Sequence, residues 1–384
     1  MAPEQSTTGQ PSLLDGFYAR NRVALTRVIS VVENQRAGFR EMLDEFHVRL
    51  GRAHRIGITG PPGAGKSTLT AGLIRHYRAR GETVGVIAVD PTSPFTGGAL
   101  LGDRIRMNEM SMDSGVFIRS MATRGSLGGL ALTTKEVADV MDAYGFDRVI
   151  VETVGVGQSE LDIAAAADST VVVLVPESGD GIQAMKAGLM EAADLFVINK
   201  ADRSGADRLA REVSMMLHLR SGEMLRAPGG GPGSSVPAHH GVDSRRIRAA
   251  RRAAAAAAPA GADASATGPA AGADGAEATV VETWEIPVLK TVAETGDGIE
   301  QLADALEKHR SWLAGSGELG HRRRRRLAER VREEVARTLL RAVWFEQGGA
   351  EALDAALPAL EAGTTTPYEV AARIVRAAGG EAAV

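Results

Sequence analysis

Nine consecutive residues, Gly60-Pro61-Pro62-Gly63-Ala64-Gly65-Lys66-Ser67-Thr68, constrain this chain more than any other stretch, because they satisfy the phosphate-loop spacing G-x-x-x-x-G-K-[ST]. Arg55-Ile56-Gly57-Ile58-Thr59 before them is a short apolar run of strand type. Leu69-Thr70-Ala71-Gly72-Leu73-Ile74 after them is apolar at helical spacing. Strand, glycine loop, helix is the arrangement in which successive backbone N–H groups turn inward around an anion and the helix adds the positive end of its dipole. In it, Lys66 reaches the outer phosphates of a nucleotide and the Ser67 hydroxyl is a magnesium ligand.

The rest of the chain supplies a sheet for that loop. Val84-Gly85-Val86-Ile87-Ala88-Val89-Asp90, Val149-Ile150-Val151-Glu152, Ser169 to Val175 and Leu195-Phe196-Val197-Ile198-Asn199 are near-continuous runs of Val, Ile and Leu, the pattern of strands buried on both faces. With longer amphipathic segments between them, they predict an α/β fold of P-loop NTPase type, a mostly parallel sheet flanked by helices. Residues 1–52 read as a helical leader, with Leu14, Phe17, Val23, Leu25, Val28, Ile29 and Val32 at helical spacing, and residues 53–315 as the nucleotide-binding domain. Within the latter, 227–278 is rich in Ala, Gly and Pro and has too little to bury against the entropy of ordering it, so it reads as a disordered insertion. A strand is expected over Val281 to Leu289 and a helix over Ile299 to Leu313. Residues 316–384 form a C-terminal helical arm, whose stripe of Leu327, Val331, Val335, Leu339 and Leu340 suits packing or dimerisation.

Composition narrows the chemistry. The 384 residues include no cysteine, which removes disulfides, thiolate-bound zinc and thiol catalysis. A net charge of -4 gives no support for nucleic acid as the main partner. No signal peptide or bilayer-spanning run is expected, so the default is a soluble cytoplasmic protein with no membrane partner. Arg322 to Arg326, beside Glu329, Glu333 and Glu334, reads as a solvated helix surface, and His239-His240 as a loop pair that ligates nothing.

A phosphate loop alone does not separate ATPases, kinases and GTPases. Asn199-Lys200-Ala201-Asp202 is an N-K-x-D at the end of a buried strand. An aspartate there accepts hydrogen bonds from guanine N1–H and the exocyclic amine. Adenine offers neither donor and would leave a buried carboxylate unpaired, a mismatch of about 10⁴-fold. Val292-Ala293-Glu294 follows a strand and is placed to lie over the guanine ring. Glu152 ends its strand and opens Glu152-Thr153-Val154-Gly155, a D-x-x-G-like motif in which the Gly155 N–H would sense the γ-phosphate; Glu152 and Asp90 are strand-end acids placed to hold the metal. A glutamine that orients water in Ras-like proteins is replaced by Val156, leaving Gln158 as the nearby candidate, so slow intrinsic hydrolysis is expected. An ATP-using P-loop kinase and a nucleotide-gated adaptor with negligible turnover are the competing readings.

Beyond these motifs, Val89-Asp90-Pro91-Thr92-Ser93-Pro94, Gly97-Gly98-Ala99-Leu100-Leu101-Gly102-Asp103-Arg104, Met121 to Gly129 and Glu152 to Glu160 resemble the MeaB/ArgK group of SIMIBI-class P-loop GTPases. The resemblance covers about Leu13 to Leu313 without the insertion. It implies a GTPase chaperone of an adenosylcobalamin-dependent methylmalonyl-CoA mutase or related acyl-CoA mutase, with magnesium and GTP/GDP at its own site and adenosylcobalamin on the partner. An adenosyltransferase is a further candidate partner, while the expectation of a homodimer comes from the apolar stripe of the C-terminal arm. By the same resemblance Asp103 joins Ser67, Asp90 and Glu152 around magnesium, Asp90 to Asp103 and Glu152 to Glu160 are switches, and Glu177 to Lys186 signals to the mutase through Asp180 and Lys186. The older description of such proteins as amino-acid transport kinases is a weaker reading, and nickel delivery is disfavoured by the lack of a Cys/His metal motif.

Overall fold

The computed structural model describes residues 12–90, 110, 112–122, 132–153, 163, 165–177, 187–221 and 283–379. The chain divides into two compact units, Met1–Ser214 with Thr283–Val384, and Met215–Glu282. The second unit is described only over residues 215–221, so the insertion expected over 227–278 and its His239-His240 lie outside the described residues.

Seven strands form one sheet in the first unit: β1 (His54–Thr59), β2 (Val84–Asp90), β3 (Val116–Ala122), β4 (Arg148–Thr153), β5 (Ser169–Leu174), β6 (Leu195–Asn199) and β7 (Val288–Thr291). Their order is β3-β2-β4-β1-β5-β6-β7, and every neighbouring pair is parallel. Side chains alternate between the faces, as the two-residue strand period requires. Ile87, Val89, Val149 and Val151 enter one core, and Ile56, Ile58, Val84, Val86, Ile150, Val171 and Val173 enter the other.

Helices cover both faces. On one lie the leader helices α1 (Leu13–Tyr18), α2 (Arg22–Glu33) and α3 (Phe39–His47), with α5 (Leu132–Tyr144); on the other, α4 (Lys66–Ala79) and α8 (Ile299–Gly315). Phe17, Leu25, Val28, Ile29, Val32 and Phe46 of the leader are fully buried, each contributing roughly 1.5–3 kcal/mol of burial energy. Ser12 and Asp15 form a capping box on α1, and the Asn21 side chain caps α2. The remaining α-helices are α6 (Ala187–Ala192), α7 (Ala206–Ser221), α9 (Glu318–Arg341), α10 (Gly349–Glu361) and α11 (Pro367–Ala377), with a π-helical turn over Ala342–Glu346. No helix among the described residues is long and apolar enough to cross a membrane.

Two strands differ from the sequence reading. β3 lacks an uninterrupted apolar run, because as an edge strand it needs to bury less and carries Arg119, which pairs with Glu33 of α2. The strand expected from Val281 begins only at Val288. Pro287 has no N–H for the ladder, although its carbonyl accepts from Phe196 at 2.9 Å.

The arm also departs from expectation. Arg324 and Arg325 are exposed, but Arg322, Arg323 and Arg326 are not a solvated surface. Arg322 makes a two-pronged bond to Asp194, 2.8 Å at each oxygen, while Arg323 at 3.2 Å and Arg326 at 2.9 Å hold Asp168. Asp168 is 1% exposed. Burial alone would raise its carboxyl, but Arg326 and Arg323 outweigh that and hold it well below the ordinary range. The apolar stripe beside this contact is open to solvent: Leu327, Val331, Val335 and Leu339 are 44%, 64%, 52% and 60% exposed.

Behind Asp194 runs a buried polar chain whose direction follows from the donors. Arg148 Nη1 can only donate, so His54 Nδ1 accepts, at 3.0 Å, and His54 carries its proton on Nε2. That proton goes to Ser169 Oγ at 2.7 Å, and Ser169 donates onward to His309 Nδ1 at 2.8 Å. His309 Nε2–H then faces Asp194 Oδ1 at 3.4 Å. Both imidazoles are neutral: burial pushes His54 down to about 3 and His309 down to about 4.

Candidate functional site

The phosphate loop leaves the carboxyl end of β1, which lies between β4 and β5. In an open parallel sheet that end, where the chain order switches sides, is where ligands collect. Two glycines have conformations and neighbours that exclude a side chain. Gly60 has φ +142°, and a Cβ there would run into the Val173 carbonyl; Gly65 has φ +83°, and a Cβ there would run into the Asn199 amide. Pro62 and Gly63 are exposed at the loop's crest, while Ala64, Lys66 and Ser67 are buried and Pro61, Gly65 and Thr68 half-buried.

Lys66 and Ser67 open α4, so the loop's N–H groups and the helix N-terminus converge. Lys66 Nζ donates to the carbonyls of Gly60 and Pro61, both at 3.0 Å. Pairing of Ile58 with Glu152 in the β1–β4 ladder brings the Glu152 carboxylate against α4. Ser67 Oγ donates to Glu152 Oε1 at 2.5 Å, and Thr70 Oγ1 donates to Oε2 at 2.9 Å. Glu152 is 3% exposed. A hydroxyl and a carboxylate, both hard oxygen donors beside an anion-binding loop, suit a small divalent cation. Among the described residues no group of three or more His, Cys, Asp or Glu converges as a metal site.

The N-K-x-D residues meet the loop from the other side. Asn199 is 2% exposed, and its Nδ2 donates to Ala64 O at 2.8 Å, while its Oδ1 accepts from Thr291 Oγ1 and from Ala293 N, each at 3.1 Å. One amide therefore ties the phosphate loop to the turn after β7. Lys200 adopts φ +56°, the left-handed region uncommon outside glycine, and reverses the chain so that Asp202 faces outward. Gly65, Thr68, Asn199, Lys200, Asp202, Arg203, Val292, Ala293 and Glu294 line one small pocket. Among these, only Arg203 was not expected. Asp202 is exposed, not buried as the guanine argument assumed; a base seated on it would supply the burial.

The structure thus brings together Gly60 to Thr68, Glu152, Asn199 to Asp202 and Val292 to Glu294. Asp90 ends β2, but its side chain, like Asp103, Gly155, Gln158, Asp180 and Lys186 entirely, lies outside the described residues. Thr70 and Thr291 were missed. Thr70 could have been found from its spacing, since three residues beyond Ser67 lies the same helix face; Thr291 could not, because its role depends on the β6–β7 register.

Comparison with known proteins gives the chain a family and a fold relative. Residues 25–348 match the family described as methylmalonyl Co-A mutase-associated GTPase MeaB. A putative GTPase of Pyrococcus abyssi is 44% identical over 324 residues, covering 84% of this chain and 83% of the relative. The mouse mitochondrial methylmalonic aciduria type A homolog is 31% identical over 325 residues, covering 81% of this chain and 65% of its own length. Among solved structures, one described as a LAO/AO transport system kinase superposes with a TM-score of 0.59 at 23% identity, covering 97% of this chain and 99% of its own, a likeness of fold.

Proposed function

Because the chain belongs to the MeaB family of methylmalonyl Co-A mutase-associated GTPases, we propose that its GTP hydrolysis gates the loading, protection or reactivation of adenosylcobalamin in an acyl-CoA mutase of the methylmalonyl-CoA mutase type. The observation that carries the nucleotide half of this reading is the Asn199 side chain, which links Ala64 of the phosphate loop to Ala293 of the base-side turn beside Asp202. One amide then registers phosphate and base of the same molecule.

In this reading Asp202 receives the two guanine donors, and Val292 to Glu294 cover the ring. Lys66 exchanges the Gly60 and Pro61 carbonyls for β- and γ-phosphate oxygens. Ser67 and Glu152, with Asp90 and Asp103, would hold magnesium, which when bound neutralises charge on the β- and γ-phosphates. A water oxygen attacks the γ-phosphorus as the bond to the β–γ bridging oxygen breaks, giving GDP and phosphate. Gly155 is assigned to sensing the γ-phosphate, and Gln158 to orienting that water. With Val156 after Gly155, the water is poorly held until a partner arranges the segment, so turnover is slow alone. Asp180 and Lys186 are assigned to the signalling contact with the mutase.

The test is multiple-turnover phosphate release with and without a cobalamin-dependent acyl-CoA mutase from the same source. Stimulation well above the intrinsic rate is expected, with Lys186→Ala keeping nucleotide affinity and losing much of the gain. No stimulation by any such mutase would refute the chaperone role and leave GTP hydrolysis standing.

A further inference from the structure

Thr70 lies one helical turn beyond Ser67 on α4, and the two hydroxyls hold the two oxygens of one carboxylate: Ser67 Oγ to Glu152 Oε1 at 2.5 Å and Thr70 Oγ1 to Oε2 at 2.9 Å. All three residues are buried, Thr70 completely. A threonine inside a helix commonly turns its hydroxyl back to the carbonyl four residues earlier, here that of Lys66. The Thr70 hydroxyl instead crosses from the helix to the end of β4. Nothing in the apolar packing of α4 requires a hydroxyl at this position, since valine has nearly the same shape.

We propose that Thr70 is a positioning residue for the GTPase reaction, holding Glu152 Oε2 so that Oε1 stays directed at Ser67 and the metal beside it. This rests on the reading of Ser67 and Glu152 as metal-side groups. When Ser67 Oγ turns a lone pair to a cation, its O–H still donates to Glu152 Oε1, and Glu152 has to hold its orientation while the hydroxyl rotates to meet the ion. A glutamate side chain has three rotatable bonds, and an anchor on its second oxygen keeps it from swinging away at that moment. The Thr70 hydroxyl bonds Glu152, and its effect on the reaction passes through that carboxylate. A hydrogen bond to a charged acceptor of this kind is worth about tenfold or more in whatever the carboxylate does.

The test compares Thr70→Val, Thr70→Ser, Glu152→Gln and the Thr70→Val/Glu152→Gln double variant of the full chain. Three quantities are read: kcat for GTP, magnesium affinity of the GDP complex by calorimetry, and GDP affinity without magnesium. Thr70→Val should lower kcat and magnesium affinity by about tenfold and leave metal-free GDP affinity within about twofold, because the phosphate loop is untouched. Thr70→Ser should restore both losses, and the double variant should be no worse than Glu152→Gln alone. Wild-type magnesium affinity and kcat in Thr70→Val, with both reduced in Glu152→Gln, would overturn the proposal while keeping the metal site. Wild-type behaviour in both would overturn the metal assignment as well. Failure of Thr70→Ser to restore activity would mark the loss as a packing defect and equally refute the role. If Thr70→Val does not fold, Thr70→Ala is read by the same criteria.

Discussion

Asp202 is exposed on the turn after β6, held there by the left-handed Lys200, so its selectivity depends on what covers it. Changing Asp202→Asn should weaken GTP binding by at least about tenfold and shift preference toward xanthosine nucleotides, because the amide can donate to the xanthine 2-oxo group where the carboxylate could only accept. Competition binding with GTP, XTP and ATP reads this directly; equal wild-type affinity for ATP and GTP would end the guanine assignment. Lys66 and Glu152 act on the charge that develops at the γ-phosphate. Lys66→Ala and Glu152→Gln should each reduce single-turnover hydrolysis by about 10²-fold or more, as the loss of one transition-state contact does elsewhere. Normal rates in both would place the chemistry at another site.

At the scale of elements, α9 is attached by charge on one face and left apolar on the next. Arg322, Arg323 and Arg326 satisfy Asp194 and Asp168, the acids that precede β6 and β5, and Asp194 in turn faces His309. The histidines make this junction sensitive to pH. Unfolded, each imidazole titrates near 6.5, whereas folded His309 titrates at about 4. Between those values the unfolded chain takes up a proton that the folded chain refuses. Stability is therefore flat above pH 6.5 and falls as pH drops toward 4, by about 1.4 kcal/mol per pH unit at most for each such group. Denaturant unfolding at a series of pH values should show this slope, and His309→Gln, which cannot protonate, should flatten part of it. An unchanged slope would mean that His309 titrates alike in both states. Asp168 contributes only further down, its stabilisation being lost below the ordinary carboxylate range.

Across the whole molecule the two ends of the sheet carry different tasks. The loop, Glu152 and Asn199 gather at the carboxyl ends of the strands, while the arm is fastened at their amino ends, about 20 Å away along a six-residue strand. The outward stripe of Leu327, Val331, Val335 and Leu339 is not used by the chain's own core, and burying four such side chains against a second copy would supply several kcal/mol. We expect a homodimer through α9. Val331→Asp with Val335→Asp should give a monomer by sedimentation while nucleotide affinity stays within about twofold, since neither residue touches the arginine contact. A monomeric wild type would refute the dimer, and the arm would then need another partner for this face.

Local pattern in the chain was enough for the α/β class, the loop and the positions of most strands: a nine-residue spacing and runs of Val and Ile long enough to be buried on both faces. It also placed the base-side residues on a strand end, which periodicity can show. Tertiary structure alone decided what each polar group faces. The edge strand β3 was hidden because one neighbour asks less apolar surface of it. The arginine run was misread because charge is visible in a sequence but its acceptors are not: Asp194 and Asp168 lie 128 and 158 residues from Arg322 and Arg326. Thr70 was passed over for the same reason, its value residing in a carboxylate 82 residues away. Backbone pattern is written by near neighbours, whereas a hydrogen bond or ion pair belongs to two positions that only the folded sheet brings together.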